Sequence, residues 1–129
     1  MSSIFPINFS SISRNMGLRF LSVNVRGVNI PHKRTSILGF LQSKAFDFAF
    51  IQESHLLKQH NNLLANKHYR VLASSTATSK SKGVAILAKR RLRFDFLGEW
   101  SDKAGRIAIA KIRDERGSRP DAERPISRI

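Results

Sequence analysis

The chain has 129 residues, 41% of them hydrophobic, which is enough for one small folded domain and excludes global disorder. Its 23 lysines and arginines against 9 acidic residues give a net charge of +14, which favours partners that carry phosphates. The absence of cysteine excludes disulfide-linked partners and thiolate metal sites, and it fits an intracellular protein. The sequence has neither a run of about 18 apolar residues nor a basic helix with a broad apolar face, so we expect no membrane partner.

The first half of the chain has the pattern of an α/β layer. Residues 1–17 are rich in serine and lack acidic residues, and we predict that they form a disordered extension. Residues 18–25 alternate as a strand does, and residues 32–43 place their apolar side chains on one face of a helix. Residues 46–52 are rich in aromatic and β-branched types and predict a buried strand. Strand, helix and strand with short links predict a right-handed crossover between parallel strands.

The second half predicts a β-meander that is joined to this α/β start. Residues 56–67 are polar and could form one or two helical turns, and residues 74–82 predict a loop of Ser, Thr and Lys. Four further segments predict strands, namely 69–73, 83–88, 91–96 and 105–112. Residues 113–129 show no apolar period and predict a disordered tail. We expect Trp100 and the phenylalanines, including Phe46, Phe48 and Phe50, to be core residues.

Glu53 follows the predicted buried strand, and Asn24 lies at the end of the strand before it. Because parallel strands joined by a crossover helix end at the same side of a sheet, the two side chains should converge there. A carboxylate at such a place suits a hard divalent cation, and an amide beside it could orient the acid or donate to phosphate. His55 is a possible further member of the site. The alternatives are that Glu53 is a solvated or capping residue and that His55 is an ordinary loop histidine.

A basic stretch could follow a nucleic-acid backbone. It comprises Lys80, Lys82, Lys89, Arg90, Arg91 and Arg93. The alternative is a solvated basic face with no ligand, which is common for charge runs.

Four motifs in this order and spacing resemble those of the endonuclease/exonuclease/phosphatase superfamily. They are SVNVRG at 22–27, FIQESH at 50–55, KGVAIL at 82–87 and DKAGR at 102–106. The resemblance is closest to the endonuclease domain of LINE-type retrotransposon polyproteins, which are relatives of apurinic endonucleases. It covers residues 18–112, which is less than half of a full domain of that family.

The resemblance implies a four-layered α/β sandwich of the exonuclease III/DNase I-like type. It also implies a phosphodiesterase that depends on Mg²⁺, or on Mn²⁺, and that nicks DNA. A nuclear location is expected from the DNA substrate alone. By position, Glu53 would be the metal-binding carboxylate and Asn24 the active-site amide. The family also uses an Asp-x-Asn motif, a catalytic tyrosine and a terminal Asp-His pair. The chain contains no Asp-x-Asn, its only tyrosine is Tyr69, and Ser101-Asp102-Lys103 lacks the histidine.

We therefore expect a partial domain over 18–112 that is inactive as an isolated chain. Half of a two-sheet sandwich should leave the inner face of one sheet uncovered and apolar. The competing interpretation is a non-catalytic, basic nucleic-acid-binding module that depends on charge alone. A third possibility is that the sequence is a gene-model artefact, in which case the chain would not fold.

Overall fold

A computed structural model describes residues 8–15, 17–76, 82–114 and 123–125 of the chain. The described part is a mixed α/β structure. Its strands are β1 (Asn8–Asn15), β2 (Leu18–Asn24), β3 (Phe48–Gln52), β4 (Tyr69–Ser75), β5 (Val84–Lys89), β6 (Phe94–Ser101), β7 (Ala108–Asp114) and β8 (Glu123–Pro125). Its helices are α1 (Pro31–Ser43) and a short 3₁₀ helix (Lys58–Leu64). None of the helices in the described residues is long and apolar enough to cross a membrane.

Five strands form one sheet in the order β1-β2-β3-β5-β4. The strands β2 and β3 are parallel, with Asn24 opposite Gln52, and the other pairs in this sheet are antiparallel. The parallel pair is joined by α1, as the sequence pattern predicted. Both strands therefore end on the same side of the sheet. We call that side the carboxyl end of the sheet and the opposite side its amino end.

The helix α1 covers one face of this sheet. Pro31 occupies its first turn, where a missing N–H costs nothing, and Ile37, Leu38 and Leu41 form its buried face. They pack in one hydrophobic cluster with strand residues such as Val23 and with Tyr69, all of them buried. This packing confirms the predicted amphipathic helix.

The other face of the five-stranded sheet packs against a second sheet, in the order β6-β7-β8. The inward residues of β7 are Ala108, Ala110 and Ile112, which are buried in one cluster with Phe48 and Ile86 of the first sheet. Small alanine side chains let the sheets approach closely. The prediction of an uncovered inner face is therefore wrong for β4 and β5, over which the second sheet packs to give three layers (helix, sheet, sheet). Phe20 and Phe50, on the same face of β2 and β3, are only partly buried, so this part of the face is not fully covered.

Both predicted disordered ends contain strands where the structure describes them. Asn8–Asn15 pairs antiparallel with β2, although it lies within the predicted extension 1–17. Arg113 and Asp114 continue β7, and Glu123–Pro125 pairs with it as β8, all within the predicted tail 113–129. Pairing with a neighbouring strand explains why the prediction of disorder failed. An exposed strand edge offers backbone hydrogen bonds to a neighbour, and these depend little on the neighbour's side chains. The remainder of both segments lies outside the described residues, except Gly17.

The strand β6 departs most from the expected pattern. It begins at Phe94, three residues after the predicted start, and a register shift lies between Phe96 and Gly98. The extra residue breaks the two-residue alternation. Phe96 is 44% exposed and Trp100, opposite Ile109 on the outward face of the second sheet, is 56% exposed. The prediction that Trp100 is a core residue is therefore wrong. Phe46 and Phe48 are buried as predicted, whereas Phe50 is only partly buried.

The loop predicted at 74–82 begins two residues later than expected. Ser74 and Ser75 belong to β4, and residues 77–81 lie outside the described part of the chain. The ambiguous segment 56–67 contains the 3₁₀ helix, and Leu64 at its end is buried in the helix-side cluster.

Candidate functional site

Asn24 and Glu53 meet at the carboxyl end of the sheet. Since Asn24 is paired with Gln52 in the parallel ladder, the next residue of each chain segment emerges at the same place. The Nδ2 of Asn24 donates a hydrogen bond to Oε2 of Glu53. Its Oδ1 accepts one from the backbone N–H of Arg26 at 3.0 Å. The predicted convergence of the amide and the carboxylate is confirmed. The orientation of the Asn24 amide is fixed, because its nitrogen donates one hydrogen bond and its oxygen accepts another.

The loops that carry these residues have an unusual backbone. Arg26, Glu53 and His55 have φ angles of 52°, 54° and 59°, in the left-handed region that non-glycine residues seldom occupy. Among the described residues only Ala45 is a further non-glycine example. Such conformations cost about 1 kcal/mol or more each and concentrate at functional sites, where surrounding contacts hold them.

Those contacts come from the neighbouring loops on both sides. The N–H of Gly27 donates to the carbonyl of Glu53 at 2.6 Å, and the N–H of Ser54 donates to the carbonyl of Gly83 at 3.0 Å. The loop after β3 is thus bonded to the loop after β2 and to the segment before β5. Glu53 is consequently held on a rigid support although its side chain is 49% exposed.

Two glycines make this close approach possible. Gly27 has φ 91°, and a Cβ there would lie 2.7 Å from Nδ1 of His55. Gly83 has φ 128°, and a Cβ there would overlap Oγ of Ser54. Because L side chains rarely adopt these angles and the space is filled, both positions require glycine.

His55 lies beside Glu53 without a hydrogen bond between their side chains. Its Nε2 is 3.7 Å from Oε1 of Glu53, and the histidine side chain is 27% exposed. The backbone carbonyl of His55 also accepts a hydrogen bond from Nδ2 of Asn29 at 2.7 Å. The residue therefore lies within reach of the carboxylate and also shapes the loop, so that its possible accessory role and its structural role both remain predictions.

A cleft of about 290 Å³ opens in front of Asn24 and Glu53. It is lined by Asn24, Gln52, Glu53, Lys82, Gly83, Val84, Gly105 and Arg106. The cleft thus combines one carboxylate with two cationic side chains, Lys82 and Arg106. In such a set, the carboxylate of Glu53 can bind a divalent metal ion, and the side chains of Lys82 and Arg106 can bind phosphate oxygens. Reasoning from the sequence had not assigned a role to Arg106, although it closes the motif at 102–106.

The basic stretch does not form one continuous surface. Lys80 lies outside the described residues, and only Lys82 lines the cleft. Lys89 is at the amino end of the sheet with its Nζ 3.8 Å from Oδ1 of Asp47, and Nε of Arg90 donates to the carbonyl of Asn66 at 2.7 Å. Lys82 lies far from Lys89 and Arg90 because β5, which extends for roughly 17 Å, runs between them.

Arg91 and Arg93 follow at the amino end and are exposed. The prediction of one stretch that follows a nucleic-acid backbone is therefore corrected to two separate basic regions. Their binding of nucleic acid stays a prediction.

The turn that carries Arg106 is organised by Asp102. Its Oδ1 accepts hydrogen bonds from the hydroxyl of Ser75 at 2.5 Å and from the backbone N–H groups of Arg106 at 3.2 Å and Ile107 at 3.1 Å. The hydrogen bond from Ser75, aided by the backbone donors and opposed by partial burial, lowers the pKa of the Asp102 carboxyl. An ionised carboxylate therefore holds this turn.

The donor set of the cleft suits a cation that keeps most of its water. Within the described residues, no three histidine or acidic side chains cluster as metal ligands. Magnesium is commonly bound through one or two carboxylates together with water and phosphate oxygens, and Glu53 is the carboxylate that lines this cleft. Asn24 donates to Oε2 of Glu53, whereas Oε1 accepts no hydrogen bond from Asn24 and lies 3.7 Å from Nε2 of His55. No model of a known protein family matches the chain.

Proposed function

We propose that this chain carries the metal- and phosphate-binding part of a magnesium-dependent phosphodiesterase, an endonuclease of the LINE retrotransposon type that nicks DNA in the nucleus. The observation that carries the proposal is the contact between Asn24 and Glu53 inside a cleft that also contains Lys82 and Arg106. The helix, sheet and sheet layers support the wider proposal of a four-layered sandwich, whose fourth layer would cover the outward face of the second sheet.

Each residue of the cleft has a distinct task in this proposal. Glu53 holds the ion, with Mn²⁺ as a possible substitute for Mg²⁺, and Asn24 keeps the carboxylate in one orientation. Lys82 and Arg106 bind non-bridging phosphate oxygens of the DNA backbone and stabilise the charge that develops on them. When bound, the ion would supply Lewis-acid polarisation of a phosphate oxygen.

The chain is proposed to bind without cleaving. It has no Asp-x-Asn motif to orient the attacking water and no terminal Asp-His pair. Each missing acid or base role contributes roughly 10²–10⁴-fold to the rate. We therefore expect that the purified chain does not relax supercoiled plasmid in the presence of Mg²⁺. Relaxation that depends on the metal and disappears in Glu53→Ala would contradict this expectation.

Magnesium binding tests the proposal directly. Calorimetric titration of the chain with Mg²⁺ should give a weak, saturable heat that is lost in Glu53→Gln. Glu99→Gln is the matched control, because it removes the same charge from an exposed acid on β6 that does not line the cleft. Equal heats in the wild type and Glu53→Gln would exclude the metal site.

The second candidate function is a non-catalytic basic module that binds nucleic acid by charge. The observation that favours it is the exposed pair Arg91 and Arg93 at the amino end of the sheet, in a chain of net charge +14. It predicts binding that falls steeply with salt, that is indifferent to sequence and that does not change in Glu53→Gln.

A further inference from the structure

We infer that Asp102 and Ser75 form a positioning pair that fixes Arg106 in the cleft for recognition of a DNA backbone phosphate. We call this pair the Asp102–Ser75 clamp. The inference rests on the proposed function, because it assigns a phosphate as the ligand of Arg106.

The clamp joins two different sheets. Ser75 is the last residue of β4 in the five-stranded sheet, and Asp102 follows β6 in the second sheet. The Oγ of Ser75 lies 2.5 Å from Oδ1 of Asp102 and 2.7 Å from its backbone oxygen. The single hydroxyl proton of Ser75 is shared between these two oxygens. Since Ser75 is only 2% exposed, this shared hydrogen bond is shielded from water and holds the two sheets in a fixed relation beside the cleft.

The clamp fixes the backbone of the turn that presents Arg106. The Oγ of Ser75 accepts a hydrogen bond from the N–H of Gly105 at 3.1 Å, and Oδ1 of Asp102 accepts one from the N–H of Arg106 at 3.2 Å. Two successive peptide groups are thereby fixed just where the arginine side chain leaves the turn. A long side chain loses rotamer freedom when it binds phosphate, and a fixed backbone avoids the further loss from ordering a mobile turn.

The same turn is connected to the loop of Glu53. The N–H of Gly83 donates to the carbonyl of Gly105 at 3.0 Å, and the N–H of Ser54 donates to the carbonyl of Gly83 at 3.0 Å. Hydrogen bonds therefore run continuously from Ser75 to the residue that follows Glu53. This connection fixes the backbone at Arg106 relative to the loop of Glu53, and both residues line the same cleft.

The carboxylate of Asp102 is engaged within the protein through one of its oxygens. Its Oδ1 receives one hydroxyl and two backbone donors. Its role is therefore to hold the turn. Glu99 differs, since it lines the same polar hollow as Asp102 and is exposed to solvent. Replacing either acid by its amide changes the net charge equally, which separates the effect of charge from the effect of position.

The test measures binding of a short fluorescent DNA duplex to the full chain in the presence of Mg²⁺, over a series of salt concentrations. Asp102→Asn makes the protein more positive, and charge alone would strengthen binding. We expect it instead to weaken binding by about fivefold at 0.1 M salt, because one phosphate contact is lost. Glu99→Gln should bind equally well or more tightly. Arg106→Gln should reduce the slope of log affinity against log salt by about one.

The double variant distinguishes positioning from general stability. If Asp102 acts through Arg106, Asp102→Asn no longer weakens DNA binding in the Arg106→Gln background and shows only the effect of the removed charge, as Glu99→Gln does, which is a non-additive result. Equal weakening in both backgrounds would show a merely structural role and overturn the inference, as would an Asp102→Asn variant that behaves like Glu99→Gln. Failure of Arg106→Gln and Glu53→Gln to change any binding would instead overturn the proposed function.

Ser75→Ala provides a second variant should Asp102→Asn not fold. It removes the hydroxyl but leaves the two backbone donors on the carboxylate, and it should weaken DNA binding in the wild-type background only. Circular dichroism establishes that each variant is folded. If neither variant folds, the clamp is a requirement of the fold and the positioning role is overturned.

Discussion

The two ends of the five-stranded sheet differ in how their acidic residues, Asp47 and Glu53, are used. At the amino end, Asp47 accepts a hydrogen bond from the N–H of Arg19 at 2.8 Å and forms an ion pair with Lys89 at 3.8 Å. At the carboxyl end, Glu53 and Lys82 line an open cleft. Asp47, Lys89 and Arg90 at the amino end are thus engaged with one another or with the backbone, although Arg91 and Arg93 there are exposed. Glu53 and Lys82 at the carboxyl end instead face a space that a ligand can enter.

The backbone differs in the same way. Three non-glycine residues with positive φ lie in the loops at the carboxyl end, whereas the amino end has Ala45 alone among the described residues. Polar groups that are satisfied by the protein contribute stability, and polar groups on a strained, rigid loop are poised for binding. The position of a charge in the fold is therefore more informative than the total charge of the chain.

The largest effect is expected for Gly83→Ala at the carboxyl end. A Cβ at this position would overlap Oγ of Ser54, and φ is 128°. We expect the free energy of unfolding to fall by about 2–4 kcal/mol, as for other strained backbone positions. Urea denaturation followed by circular dichroism measures the change. The control is Gly39→Ala in α1. An added Cβ there would meet no atom within 4 Å beyond its own helical turn, and the free energy of unfolding should rise by about 0.5–1 kcal/mol. A neutral result at Gly83 would show that the carboxyl end is not rigid.

Tyr69→Phe tests the amino end. The hydroxyl of Tyr69 donates to the carbonyl of Phe46 at 2.7 Å within the core, so its loss should cost about 1–2 kcal/mol of stability. Magnesium and DNA binding should not change, because this contact is remote from the cleft. A loss of metal binding together with stability would remove the distinction between the two ends.

The same tyrosine should make stability depend on pH in the alkaline range. Burial, together with the charge of Asp47, raises the pKa of Tyr69 from 10.0 to about 12. Between these values the unfolded chain has lost the proton that the folded chain retains, so the free energy of unfolding falls as pH rises from about 10 to 12. Tyr69→Phe should lack this part of the decline in denaturation measured across that range.

The smallest effect is expected from a comparison of two lysines. Lys82→Gln should weaken DNA binding several-fold and reduce the salt slope by about one, because Lys82 lines the cleft. Lys89→Gln removes the same charge at the amino end, where Asp47 partly neutralises it, and should change the slope much less. Equal effects would favour the basic module, in which every cation contributes alike.

Local sequence pattern predicted the part of the fold that positions the site. The apolar strand before Glu53 and the alternating strand before Asn24 were separated by a helix-length segment, and this spacing led to the parallel pair and to the contact between the two side chains. No local sequence pattern marks the left-handed backbone at Arg26 or Glu53, because hydrogen bonds to loops distant in the chain impose it.

Other features were missed for identifiable physical reasons. The one-residue shift between Phe96 and Gly98 turns Trp100 to the outward face, and its local mark is Gly98, whose φ of 147° suits a bulge. The strand Asn8–Asn15 is rich in serine and asparagine, and its pairing with β2 decides its conformation. The link from Ser75 to Asp102 spans 27 positions and depends on how two sheets pack, which a strand pattern cannot convey.

Trp100 has a practical consequence for spectroscopy of this protein. It is the only tryptophan in the chain, and its indole is largely hydrated in the native state. Its emission should therefore shift little on denaturation and is a poor reporter of melting. It is well placed, however, to report any protein layer that docks on the outward face of the second sheet, because such docking would remove water from the indole and move its emission to shorter wavelength.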